Sequence, residues 1–286
     1  MTADFFQNFE FWRDALLAAT LAAILCSFVG VYILLKRIVF VSAAISQMSG
    51  VGVAVSFWVA SAAATDPHHA PFYLHPLLFA GAFAALGAVL FSLNIGRRRL
   101  ASETVVGLGY LIAAASVILI LSSERITREA HEVTGLLYGN SVTVPPEQLL
   151  LMACALLVVA LLHVLFGKEF LFVSFDAEMA RTLGLPARFW NLLLYLTFAV
   201  SISVSTRAIG ALPVFAFMVI PPAVGLLVAD RLRMAFAISI AVGVLSAAFG
   251  YYASYRWSLP TGAAMVITAS LFLLPALLRL RMRGNR

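Results

Sequence analysis

Lys168-Glu-Phe-Leu-Phe-Val-Ser-Phe-Asp176-Ala-Glu178-Met-Ala-Arg181-Thr-Leu-Gly184-Leu-Pro186-Ala-Arg188 is the one long polar interruption on its side of a very apolar chain. Asp176 is placed to accept hydrogen bonds from the free backbone N–H groups of the turn that follows it. Gly184 and Pro186 supply a left-handed stop and a residue that cannot continue a helix. The segment so bracketed, Ala177 to Leu183, makes a rod of roughly 10 Å at about 1.5 Å per residue, too short to cross a bilayer and marginal as a free helix. It therefore needs support from elsewhere. Met179 and Leu183 share one stripe at i,i+4, with Glu178, Arg181 and Thr182 largely away from it, which gives the rod one face for its own chain and one for a partner. The same letters also fit an amphipathic connector lying among lipid headgroups.

Outward from this stretch the chain is apolar in both directions. Of 286 residues, 63% are hydrophobic and 11% charged, and apolar runs fall at about 11–35, 38–62, 72–95, 103–122, 148–167, 189–206, 208–229, 234–254 and 259–279. Each approaches the length needed to span about 30 Å of hydrocarbon. The two runs around Arg207 share only the break Ser205-Thr206-Arg207, so a pair of short or re-entrant pieces stays open as an alternative to two full spans. The expected fold is all-α, a polytopic helical membrane protein of about 8–9 transmembrane helices with one short helix outside the membrane. It forms a single transmembrane domain over residues 1–286, with no room for a soluble domain. The first ten residues carry Asp4 and Glu10 but no Lys or Arg, unlike the basic start of a cleaved signal peptide, so the first span is expected to be retained. Cys26 and Cys154 both fall inside apolar runs, which favours small packing residues over a disulfide or a thiolate metal cage.

Sorting the basic residues by alternate loops orients the chain. One side collects Lys36, Arg37, Arg97, Arg98, Arg99, Lys168, Arg181, Arg188, Arg231, Arg233, Arg279, Arg281, Arg283 and Arg286, and the other keeps Arg13, Arg125, Arg128, Arg207 and Arg256. The richer side is expected to be cytoplasmic, with the C-terminus and the Lys168–Arg188 stretch on it. The net charge of +6 is accounted for in this way, and no nucleic-acid partner is needed to explain it.

Two outer loops carry titratable residues. Asp66-Pro67-His68-His69-Ala70-Pro71, followed by His75, has the imidazole content of a metal-collecting loop, although its spacing is irregular and His is also common in interfacial turns. Ser122 to Pro146 carries several acids beside Arg125 and Arg128, enough to concentrate cations or simply to solvate a loop. His131-Glu132 does not begin a zinc-protease helix, because Gly135 stands where the second His of HExxH would be. Within the spans, His163 reads as structural. Arg207 would cost roughly 2.5–3.5 kcal/mol at the bilayer centre and so should face a loop or a water-filled cavity. There is no GxxxxGK[ST] loop, no Ser-His-Asp set and no CxxC, so the chain alone cannot hydrolyse ATP.

Five segments, in order, resemble one family, the membrane subunits of ATP-binding-cassette importers for zinc, manganese or iron. They are Phe28 to Arg37, Leu136 to Val144, Phe175 to Pro186, Ile209 to Pro221 and Leu259 to Ala263, and together they extend over nearly the whole chain. The pattern Asp-x-Glu-x-Ala-x-x-Leu-Gly-Leu-Pro at Asp176–Pro186 is similar to the family's cytoplasmic coupling segment, here about 174–187. The resemblance implies a bacterial inner-membrane permease surrounded by lipid and paired either with a second permease copy or with a closely similar permease as a heterodimer. It further implies two cytoplasmic ATP-binding subunits and an extracytoplasmic metal-binding protein. No cofactor is expected on this chain, and ATP with its Mg would belong to the partner subunit. Asp176, Glu178, Arg181 and Gly184 are the expected ATPase-coupling residues, and closure of the ATPase would rock the spans to alternate access.

One departure stands out. After the first span the family usually has Gly-Asp-Ala-x-Ser-His, an Asp and a His that face the pathway, whereas this chain reads Ser42-Ala43-Ala44-Ile45-Ser46-Gln47. Ala43 cannot ligate and Gln47 offers only a neutral oxygen, so the two-ligand site does not carry over. Ser46, Gln47, Ser49 and Arg207 are left as pathway candidates, Gln47 also being suited to an interhelical hydrogen bond. The expected function is import of a divalent transition metal, zinc ahead of manganese or iron. The alternatives are a divergent permease that moves a metal chelate or exports, and an ATP-independent channel or secondary transporter, which would require intramembrane acids that the spans hardly offer.

Overall fold

The computed structural model describes residues 9–62, 75–93, 100–123 and 144–284. Among these residues the chain is eleven helices and no strand. In chain order they are α1 (Phe9–Leu35), α2 (Val39–Ala62), α3 (Pro76–Ser92), α4 (Ser102–Leu121), α5 (Pro146–Leu165), α6 (Gly167–Phe175), α7 (Ala177–Thr182), α8 (Ala187–Ile209), α9 (Ala211–Val228), α10 (Leu232–Trp257) and α11 (Thr261–Gly284). Eight of them are long and apolar enough to cross a membrane, and α3 is a ninth, shorter apolar helix. At 17 residues α3 is about 25 Å long, just under the hydrocarbon thickness.

Two lobes flank a central pair. α2 packs on α3 and α4, while α9, α10 and α11 pack on one another, and α1 and α8 join the two groups. With lipid outside there is little hydrophobic drive between helices, and close approach must come from small side chains. α1 supplies them. Ala15, Ala18, Ala19, Ala22 and Ala23 are all buried, and a Cβ at Gly30 would run into the Met218 carbonyl oxygen and the Pro222 ring of α9. Across the same helix, Ser239 of α10 donates its hydroxyl to the Ser27 carbonyl at 2.8 Å.

The break between the sixth and seventh spans differs from the one expected. Ser205, Thr206 and Arg207 do not interrupt the helix, and α8 runs through them to Ile209. The chain turns at Gly210 instead, where φ is 89°, a value that costs glycine nothing and side chains with a Cβ a good deal. Polar letters were mistaken for a loop. Hydroxyls in membrane helices bond on the preceding turn, as Ser201 does on the Thr197 carbonyl at 2.7 Å, or across a helix interface, as Thr206 does with Ser46, and so do not break the helix.

Candidate functional site

The elbow between α5 and α8 forms as its local chemistry dictates. The Asp176 carboxylate accepts from the backbone N–H groups of Glu178 and Met179, each at 2.9 Å, and so caps α7. At the other end Leu185 N donates to the Ala180 carbonyl and Gly184 N to the Arg181 carbonyl. This paired closure requires the left-handed residue that Gly184 provides at φ 81°. A related closure ends α1, where Ile38 N reaches the Ile33 carbonyl and Arg37 N the Leu34 carbonyl. There the left-handed position is taken by Arg37 at φ 57°.

The faces of α7 are distributed differently from the expectation. Ala180 is the residue that packs inward, at 0% exposure, while Met179 and Leu183 stand 54% and 61% exposed. Glu178, Arg181 and Thr182 are exposed as well. A six-residue helix has room for one small contact, and Ala180 allows the backbone to approach, so the two larger apolar side chains are left on the outside. Glu178, Met179, Thr182 and Leu183 are thus exposed, while Arg181 borders a cleft against the neighbouring helices.

Behind α7, α6 anchors the elbow. Phe170, fully buried, sits 4.7 Å from the His163 ring and 6.0 Å from Trp190, centre to centre. His163 in turn lies 5.1 Å from Phe28 and 4.8 Å from Tyr32 of α1, and both of those rings meet Phe236 of α10 at 5.3 Å. His163 Nδ1 is 2.8 Å from the Val159 carbonyl. The imidazole is thus one ring of an aromatic cluster that ties α5, α6, α1 and α10 together. Lys36 reinforces it, donating from Nζ to the Val173 carbonyl of α6 at 2.9 Å.

The pathway candidates divide between two faces of α2. Ser46 and Ser49 are buried, and Ser46 Oγ lies 3.4 Å from Thr206 Oγ1 of α8. Ala43 and Gln47, one turn apart, lie on a half-exposed stripe of the same helix. The buried hydroxyls act in helix packing, whereas Gln47 has an open side. At the far end of α8, Arg207 falls in the last turn, where the helix dipole favours a cation. It does not lie at mid-span. His75 caps α3 there, its Nδ1 3.3 Å from Leu77 N. Loss of surrounding water holds the His75 ring below its usual titration range, and the Arg207 charge adds to this, while Glu147 at the start of α5 opposes it. One end of the bundle therefore brings together His75, Glu147 and Arg207, three residues far apart in sequence. His68 and His69 lie outside the described residues. Among the described residues no cluster of three His, Cys, Asp or Glu side chains is placed to hold a metal ion.

Sequence reasoning missed α6 and the aromatic cluster. The available signal was the spacing of Phe170, Val173 and Ser174, at i, i+3 and i+4, all three of them buried.

A family model described as the ABC 3 transport family matches residues 8–279. The chain is 27% identical over 272 residues to the manganese transport system membrane protein MntC of Listeria monocytogenes, covering 95% of this chain and 91% of that one. It is 27% identical over 271 residues to a probable iron transport system membrane protein of Haemophilus influenzae, covering 95% and 90%. The solved structure of PsaBC from Streptococcus pneumoniae in complex with Fab superposes with a TM-score of 0.81 at 25% identity, over 96% of this chain and 95% of that one.

Proposed function

The chain belongs to the ABC 3 transport family, and on that footing we propose that it is the membrane-spanning subunit of an ATP-driven importer of a divalent transition metal. The observation that carries this reading is the elbow, a capped helix outside the bundle with its outer side exposed and its root locked into the aromatic cluster. In this reading Asp176, Glu178, Arg181 and Gly184 meet a cytoplasmic ATP-binding subunit that holds ATP and Mg. An extracytoplasmic metal-binding protein delivers the ion, and a second permease copy completes the pathway. The elbow end, rich in Lys and Arg, lies in the cytoplasm of a bacterial inner-membrane protein together with the C-terminus.

The cargo is the finer point. Sequence favoured zinc, but the relatives' names speak of manganese and iron, and the residues point the same way. Gln47, on the open side of α2, offers a neutral oxygen donor, which suits manganese better than zinc, an ion that prefers imidazole and thiolate. We therefore rank manganese first, then iron, then zinc. Because Ala43 removes one ligand altogether, passage of the metal inside a chelate is the second reading.

Uptake of radioactive manganese, iron and zinc in a deletion strain separates these cases. Loss of manganese uptake supports the first reading, and loss of none of the three ends it. In the same strain, Glu178→Arg with Arg181→Glu should abolish uptake and transport-coupled ATP hydrolysis while the permease stays folded in the membrane; intact coupling would refute the elbow assignment.

A further inference from the structure

Beside the elbow is a cleft of about 1170 Å³ walled by the ends of α1, α3 and α6 and the starts of α2, α4 and α8. It is larger than the roughly 300–1,000 Å³ of an ordinary small-molecule site. Its charge is lopsided. Lys36, Arg37, Arg181 and Arg188 line it against a single acid, Glu103. Lys36 is committed to the Val173 carbonyl, whereas no carboxylate among the described residues pairs with Arg37, Arg181 or Arg188. Arg37 also holds a left-handed backbone conformation that a glycine would adopt more easily.

The rest of the wall is apolar. Phe40, Leu90, Leu93, Phe175 and Phe189 border the cleft and all are exposed. Leu90 and Leu93 continue an exposed apolar stripe that climbs α3 through Leu86, so the apolar wall of the cleft runs on along that helix. A soluble anion would use the cations and leave the stripe bare. An acidic protein segment has no reason to follow a helix into the membrane.

We propose that this cleft binds an anionic phospholipid, with its phosphate held by Arg37, Arg181 and Arg188 and an acyl chain lying along Leu86, Leu90 and Leu93 of α3. Basic pockets between spanning helices at the cytoplasmic surface are suited to such headgroups. The inference requires the elbow end to lie at a membrane surface and does not depend on which cargo is carried. Its consequence is that the lipid phosphate shares Arg181 with the coupling elbow, so headgroup charge sets how firmly α7 is held.

The test uses the full-length permease in neutral detergent, titrated with dioleoylphosphatidylglycerol, dioleoylphosphatidylcholine or inorganic phosphate and followed by native mass spectrometry and melting midpoint. Phosphatidylglycerol should stay bound and raise the midpoint, and the other two should not. Arg37→Gln with Arg188→Gln, both outside the coupling set, should weaken phosphatidylglycerol by about fivefold per charge and roughly thirtyfold together; Arg37→Lys with Arg188→Lys should retain most of the binding. Equal binding of both lipids, an equal shift with phosphate alone, or unchanged affinity in the Gln variant would overturn the proposal. So would stoichiometric displacement of the lipid by the ATPase subunit, which would make the cleft a protein-docking surface. Should the Gln variant not fold, the salt dependence of the native protein decides: selectivity for phosphatidylglycerol must fall as salt rises, and selectivity that does not fall overturns the assignment.

Discussion

The inner helices and the rim of this bundle are built on opposite rules. In α1, α2, α8 and α9 the most apolar window is 67%, 67%, 72% and 56% buried, against 17%, 22%, 33% and 28% in α4, α5, α10 and α11. The inner set is not the greasier one. Its buried faces hold alanine and hydroxyl residues, including Ser42, Ser46, Ser201, Ser203 and Thr206, while the rim displays Ile112, Ile118, Leu119, Leu157 and Ile267. In water the large apolar side chains would be inside. Here lipid solvates those on the rim, while the interior mixes large side chains such as Leu25, Ile45, Phe198 and Phe217 with residues small enough to let backbones touch. The polar inner helices are also those that carry Gln47 and Arg207, so packing and the pathway candidates share the same helices on different faces.

The largest effect should come from filling the tightest inner contact. Gly30→Leu, which would push into the Met218 carbonyl, is expected to leave no monodisperse protein on size exclusion, whereas Gly107→Leu on the rim, with nothing within 4 Å of its position, should behave as the parent does. If the two variants behave alike, the contrast between core and rim fails. Next in size, Phe170→Ala should cost about 3–5 kcal/mol, read as a lower melting midpoint in detergent, because it empties the centre of the ring cluster at the elbow. Smallest, Ser46→Ala should cost about 0.6 kcal/mol, the usual worth of a hydroxyl bond between membrane helices, and Ile112→Ala on the rim should fall within about 0.5 kcal/mol of zero. A larger loss at Ile112 would show that α4 is covered by protein in the purified state.

What sequence could reveal follows from the range of the interactions involved. The caps of α7 were legible because each is local: Asp176 bonds the N–H groups two and three residues on, and Gly184 closes the turn just before it. Span number and the short helix were legible because lipid imposes length and composition segment by segment. α6 was not, since its burial depends on His163, Trp190 and Phe28, which only the fold brings together. The same holds at the other end, where His75 and Arg207 could be named singly but their meeting with Glu147 could not. The break at Gly210 was misplaced because Ser205 and Thr206 look like loop residues until their burial is known. Outward-facing Met179 and Leu183 were misassigned for a related reason: amphipathic spacing tells which residues share a face but not which face a small neighbour such as Ala180 will turn inward.

The ring cluster around Phe170 also has a mechanical side. A load applied to α7 meets a packed root, because Phe170 lies between His163 and Trp190, and His163 leans on Phe28 and Tyr32 of α1, which in turn meet Phe236 of α10. In the proposed importer, such a root would pass a displacement of α7 on to the helices that the cluster touches. The one-residue link Gly210 between α8 and α9 carries no such tie to the ring cluster among the described residues, whereas the Lys36–Arg37 turn is held to α6 through Lys36. Gly210 would then be the joint at which α8 and α9 change their angle.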